Sequence, residues 1–233
     1  RRYTFRDAER MARAAQKTPM LDGSGLKHTL ERNAIRLLEA HIGWKDKKVL
    51  IPSAVDRFGL AEALDEAGAQ VLYGDLIFGL GLPIPLYRLS LLQKIAYILL
   101  PIITQLPFQW LYPTGEKQEK QVQDWRQRYF EWADVVAGDW HFIRRFMPQD
   151  MRDKVILTNT TTPEDLEFMR ARGVARLITT TPRLEGRSFG TNVMEAFIVA
   201  AAGKYPLSEA DYLEYIARLK LQPEVTELQP AAG

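Results

Sequence analysis

Apolar positions along the chain alternate between two spacings, and the alternation lays out an architecture. Val49-Leu50-Ile51, Gln70 to Tyr73, Asp134 to Ala137, Lys154 to Leu157 and Ala175 to Thr179 are short apolar runs of strand length. Between them lie helical stretches. Phe58 to Ala67 is closed by Gly68, and a short helical piece ends at Pro148. Thr162-Pro163-Glu164-Asp165 opens another helix, with threonine as the cap, proline at the first position and Asp165 answering the cap. Val193 to Ala202 continues the series, and Ser208 with Asp211 starts a last helix bearing Tyr212, Tyr215, Ile216 and Leu219. Strands that alternate with helices predict an α/β fold: a Rossmann-like, doubly wound, mostly parallel sheet covered on both faces.

Before this series, residues 1–47 read as an N-terminal helical segment packed on the main domain. Thr4 with Asp7 starts a helix carrying Ala8, Met11, Ala12 and Ala15, and Thr18 to Leu21 reads as a short strand. Asp22-Gly23-Ser24-Gly25 is a turn, with Ser24 as the cap of a helix whose stripe is Leu26, Leu30, Ala34, Leu37 and Leu38. The α/β domain then spans 48–221, and the polar residues 222–233 read as a flexible tail. Residues 76–131 break the rhythm as a long apolar helical insertion after the second strand of the main βαβ unit. No residue between Ile95 and Gly115 is charged, yet Pro101, Pro107 and Pro113 divide the run. Two or three short helices covering a pocket or a partner are therefore expected, rather than one membrane-spanning helix. Phe108, Trp110, Leu111 and Tyr112 fit core or dimer packing better than peripheral membrane contact.

Composition narrows the function. With 46% hydrophobic and 26% charged residues over 233 positions, the chain can bury a large core. A net charge of +2, from 31 basic and 29 acidic residues, gives no footprint for nucleic acid. The absence of cysteine excludes thiol catalysis, and His28, His41 and His141 lack ligand spacing, so no metal site is expected. The chain opens on Arg1 with no apolar leader after it, which reads as a trimmed, cytoplasmic protein; a homodimer is also compatible.

In an open parallel sheet, ligands bind beyond the carboxyl ends of the strands. The residues there are Ser53 and Asp56, then Asp75, then Asp139 and His141, then Asn159, and last Thr180, Thr181, Arg183 and Arg187. Arg183, Arg187, Ser188 and Thr191, with the backbone N–H groups of Gly190 to Asn192, form a candidate anion site at a helix start. The same stretch also fits a loop shaped by Gly186 and Gly190 before an ordinary helix with an Asn192–Glu195 capping box. Asp75 lies where dinucleotide-binding folds put a ribose carboxylate, and equally where a turn wants an aspartate. Asp139 could fix the tautomer of a proton-exchanging His141, or His141 could bond only backbone. His28 and His41, on a helix, are more simply structural.

Four phrases carry a resemblance: Arg1-Arg2-Tyr3-Thr4-Phe5-Arg6-Asp7-Ala8, Asp22-Gly23-Ser24-Gly25-Leu26-Lys27, Tyr112-Pro113-Thr114-Gly115-Glu116-Lys117, and Gly186-Arg187-Ser188-Phe189-Gly190-Thr191-Asn192-Val193-Met194-Glu195. Together they resemble the bacterial quinate/shikimate 5-dehydrogenase-like family, over nearly the whole chain up to Gly203. The resemblance implies an oxidoreductase using NAD or NADP to oxidise a ring hydroxyl of a small hydroxylated carboxylic acid. On that reading Ser53, Asp75, Thr180 and Thr181 hold the cofactor, and Arg183, Arg187, Ser188, Gly190, Thr191 and Asn192 hold the anionic substrate. His141, with Asp139 fixing its tautomer, or Lys27 moves the proton. The chain shows neither the Asn-Val-Thr-x-Pro-x-x-Lys segment of true shikimate dehydrogenases nor their glycine fingerprint. A second reading is a non-catalytic nucleotide- or anion-binding protein that recruits a partner or a membrane surface through the apolar stretch from Leu76 to Tyr112.

Overall fold

Each apolar run becomes a strand whose successive side chains enter opposite layers. In the computed structural model the parallel strands are β1 (Lys48–Ile51), β2 (Gln70–Tyr73), β3 (Val135–Ala137), β4 (Val155–Thr158) and β5 (Arg176–Thr179). The structure describes residues 6–15, 17, 18, 20–106, 121–184 and 187–228. Phe108, Trp110, Leu111, Tyr112 and Gly186 lie outside them.

Val49 and Ile51 of β1 pack with Ile35 and Leu38 of α2 (Ser24–Ile42), the helix that follows α1 (Arg6–Ala14), and with Leu60 and Leu64 of α3 (Phe58–Glu66). Leu92 of α4 (Leu89–Ile103) joins the same layer. Leu50, between Val49 and Ile51, faces the other way. It packs with Phe130 of α5 (Gln127–Trp132), Phe142 and Phe146 of α6 (Trp140–Phe146), and Leu166 of α7 (Pro163–Arg170). The period of two thus feeds two cores from one strand. The sheet is mostly parallel, with helices on both faces.

Sheet order is β2-β1-β3-β4-β5-β8, the last strand being β8 (Glu224–Glu227), antiparallel to β5. From β1 the chain steps outward to β2, then crosses back to lay β3 on the opposite side of β1. Connections of one hand that run in opposite directions put their helices on opposite faces, so the loops leaving β1 and β3 diverge and open a crevice between them.

The third core joins the start of α2 to α8 (Thr191–Ala202) and α9 (Glu209–Arg218), through Leu26, Leu30, Ile198, Tyr212 and Ile216. Its polar centre is Glu195, 3% exposed. Glu195 accepts the backbone N–H of Gly23 at 2.8 Å and of Leu26 at 3.3 Å, and the Tyr212 hydroxyl at 2.6 Å. This carboxylate caps α2 from a distant helix. Close approach demands glycine: at Gly23, with φ of 82°, a Cβ would stand 2.6 Å from the Asn192 nitrogen.

Local signals were realised where their partners are local. Thr162 with Asp165 and Ser208 with Asp211 form capping boxes. Elsewhere the structure differs. Asn192 and Glu195 form no capping box, since the cap of α8 is Gly190 without a side-chain bond and Glu195 is committed to α2. Ser24 is the first helical residue of α2, after a left-handed Gly23, and makes no cap bond. Residues 18–21 form no strand in the described positions. Part of the expected loose tail is ordered as β8, because β5 offers it an open edge.

Replacing Glu195 by alanine strands two buried N–H groups and a hydroxyl, and is expected to cost about 3 kcal/mol or more. Glu195→Gln, which keeps an acceptor, is expected to cost less. Urea denaturation followed by tryptophan fluorescence measures both.

Candidate functional site

A cavity of about 790 Å³ opens at the carboxyl ends of the strands, over the crevice between β1 and β3. Ser53 and Asp56 follow β1, Asp75 follows β2, Asp139 follows β3, and Asn159 with Thr160 follows β4. The starts of α2 and α8 add Asp22, Lys27 and Asn192. The lining is completed by α4, whose Leu92, Ile95, Leu99 and Ile103 form an apolar wall with Leu76 and Leu86. The lining is divided, polar at the strand ends and apolar along one helix.

Most of its charge is internally matched. Arg57, 2% exposed, donates to Glu31 Oε1 of α2, and its other terminal nitrogen lies 3.6 Å from Asp139 Oδ2. Burial raises the pKa of Glu31, against the opposing pull of Arg57 and Lys27. Lys27 Nζ reaches Asp56 Oδ2 at 3.0 Å and the Asp56 carbonyl at 3.3 Å. Asp139 Oδ1 accepts the backbone N–H of His141 at 3.0 Å and of Phe142 at 3.4 Å, which caps α6.

Asp75 is differently placed. Its Oδ1 accepts the N–H of Ala54 and of Val55, both at 3.0 Å, and its Oδ2 shares the Ala54 N–H at 3.1 Å. These bonds hold the one-turn 3-10 helix Val55–Arg57 against the end of β2. Burial, and more weakly Asp56, push its pKa up to about 6 despite those bonds. The surface it keeps faces the cavity.

Of the site residues read from sequence, the structure gathers Lys27, Ser53, Asp56, Asp75, Asp139, Asn159, Gly190, Thr191 and Asn192 around this cavity. The remainder lie elsewhere. Thr180 and Thr181 are buried, and Ser188 is tied to Thr161 through that residue's N–H and hydroxyl. In the hairpin of β6 (Arg183–Leu184) and β7 (Arg187–Ser188), Arg183 pairs with Ser188 and Leu184 with Arg187. Adjacent positions of a strand face opposite ways, so the two guanidinium groups leave on opposite faces and do not clamp one anion. Arg183 turns to β8, its N–H to Glu224 at 2.9 Å and its guanidinium to Thr226 at 3.4 Å. His141 does not line the cavity, and Asp139 meets its backbone N–H. Sequence reading missed Asp22, Thr160, Glu31 and Arg57, and although it expected short apolar helices over a pocket or a partner, it did not single out the side chains that form the wall. Only Arg57, charged and just past a strand, left a signal.

Among the described residues, no group of three or more His, Asp or Glu could hold a metal ion. None of their helices is long and apolar enough to cross a membrane.

Residues 25–228 match a sequence family described as a domain of unknown function, DUF8754. The chain belongs to that family. No curated protein matches the sequence of this DUF8754 member. Among solved structures it is similar to the substrate-binding protein of a sugar ABC transport system from Bordetella parapertussis 12822. That likeness has 12% identity and a TM-score of 0.35, over 86% of this chain and 56% of the other. It is also similar to GanP, a glucose-galactose binding protein from Geobacillus stearothermophilus, at 10% identity and a TM-score of 0.32, over 89% of this chain and 62% of GanP. The DUF8754 chain therefore spans less than two thirds of either structure.

The family match corrects the expectation of a quinate/shikimate 5-dehydrogenase-like oxidoreductase: the family is DUF8754. The physical reason lies after β1. A dinucleotide fold uses glycines there so that backbone N–H groups meet pyrophosphate, whereas Asp75 already occupies the N–H groups of Ala54 and Val55. The alternative, a nucleotide- or anion-binding protein recruiting through its apolar stretch, gains no support from the matches either.

The pKa of Asp75 gives a stability prediction. Below pH 3.8 its carboxyl is protonated folded and unfolded alike; above about 6 it is ionised in both, and the folded chain bears the cost of a buried charge. Stability from this group therefore falls as pH rises from 3.8 to about 6. Asp75→Asn, which keeps an acceptor for Ala54 and Val55, is expected to stabilise the protein by up to about 3 kcal/mol at pH 7.5 and to be nearly neutral at pH 3.5. Urea titrations at the two pH values measure the difference.

Proposed function

We propose that this chain is a small-molecule-binding protein whose cavity takes an amphiphilic ligand, polar head at the strand ends and apolar body along α4. The observation that carries this reading is the divided lining of the 790 Å³ cavity. Its volume falls in the range of cavities that enclose small ligands, and its place matches the switch point where open parallel sheets bind them. Ser53, Asn159, Thr160 and Asn192 offer neutral hydrogen-bonding groups to the head. The inward side chains of α4 offer only hydrocarbon. A wholly polar ligand would leave that wall facing solvent, and a wholly apolar one would desolvate the strand-end groups without bonding them.

Isothermal titration with straight-chain primary alcohols tests this. Affinity is expected to rise about fourfold per added methylene, the equivalent of about 0.8 kcal/mol, until the apolar wall is covered. Leu99 lines the cavity, whereas Ile98 points outward and is 66% exposed. Leu99→Asp is expected to abolish binding and Ile98→Asp to leave it intact. Affinity that ignores chain length, or that survives Leu99→Asp, would sink the proposal.

A further inference from the structure

The lining of the cavity includes four carboxylates, of Asp22, Asp56, Asp75 and Asp139, and two cations, Lys27 and Arg57. Both cations are engaged. Lys27 sits on Asp56, and Arg57 is held between Glu31 and Asp139. Among the described residues no cationic group lies within ion-pair distance of Asp75. Its carboxylate cannot readily swing toward one, because Ala54 and Val55 fix it through three N–H···O contacts. A carboxylate offers about four acceptor positions, so one remains, on Oδ2.

We propose that the polar end of the cavity selects a cationic head group, a primary ammonium on an alkyl body, which completes the hydrogen bonding of Asp75. This rests on the ligand-binding reading above and specifies the charge of its ligand. An ammonium carries three donors, one for the open position of Asp75 and others for neutral neighbours such as the hydroxyl of Ser53. The starts of α2 and α6 do not reverse this preference. Glu195 and Asp22 answer N–H groups at the start of α2, and Asp139 answers those of α6. Lys27 and Arg57, which face the same space, are offset by Asp56, Glu31 and Asp139. The raised pKa of Asp75 agrees, since a buried carboxylate without a cation is what a positive ligand would relieve. The site thus holds at a cost to stability a charge that binding makes favourable.

The test compares octylammonium, 1-octanol and octanoate by isothermal titration at pH 7.5, on the wild-type chain and on Asp75→Asn. Octylammonium is expected to bind at least about tenfold more tightly than octanol, with octanoate weakest. In Asp75→Asn that advantage is expected to shrink below about twofold. In the wild type it is expected to shrink as pH falls from 7.5 to 5 and Asp75 takes a proton, a readout that needs no variant. Equal affinities for ammonium and alcohol would overturn the head-group assignment and leave the cavity reading standing. Preference for octanoate, or an ammonium advantage undiminished in Asp75→Asn, would do the same. No binding by any of the three would overturn both readings.

Discussion

Val49 and Ile51 enter one helical layer and Leu50 the other, so β1 is stable only with helices on both sides. That requirement, met by a chain that steps outward to β2 and returns on the far side for β3, forces the connecting loops apart. Everything chemically notable follows from the gap. The loop after β1 supplies Ser53, Asp56 and Arg57, the end of β2 supplies Asp75, and the loop after β3 supplies Asp139. These three segments are far apart in sequence. They meet because parallel strands end on the same side.

The polar interactions around the gap divide by purpose. The Glu31–Arg57–Asp139 chain joins α2, the loop after β1 and the start of α6, and links two buried charges to a third that borders the cavity. Glu195 does comparable work at the start of α2, with backbone and hydroxyl donors in place of a cation. Asp75 departs from both patterns. Backbone N–H groups position it, no ion partner among the described residues neutralises it, and it faces open space. A carboxylate so placed is dear to fold and useful to bind.

Strands β1 to β5 were legible because their apolar runs are dense and bounded, and the Thr162 and Ser208 caps because their partners lie three residues on. Glu195 was misread for the complementary reason: the groups it binds at Gly23 and Leu26 are 172 and 169 residues away. Strand-end residues could be named, since topology alone brings strand ends together. Which of them share a cavity could not, because the facing of Arg183 and Arg187 depends on a hairpin register that spacing does not encode. The apolar wall was hidden for another reason. A helix as apolar on its outer face as on its inner one, with Tyr97, Ile98 and Ile102 exposed opposite Leu92, has no stripe to betray its orientation.

Strand β8 carries only one apolar residue in Glu-Val-Thr-Glu, which is why its pattern does not read as a strand. The same composition suits its position. As the outermost strand beside β5 it ends the sheet with a carboxylate at each of its termini, Glu224 and Glu227. At the other margin Tyr73 of β2 is bridged by Leu86, whose carbonyl takes the Tyr73 N–H at 2.8 Å. One margin is charged and the other partly covered, so the interior strands, apolar enough to template amyloid-like stacking, are shielded from edge-to-edge growth between molecules.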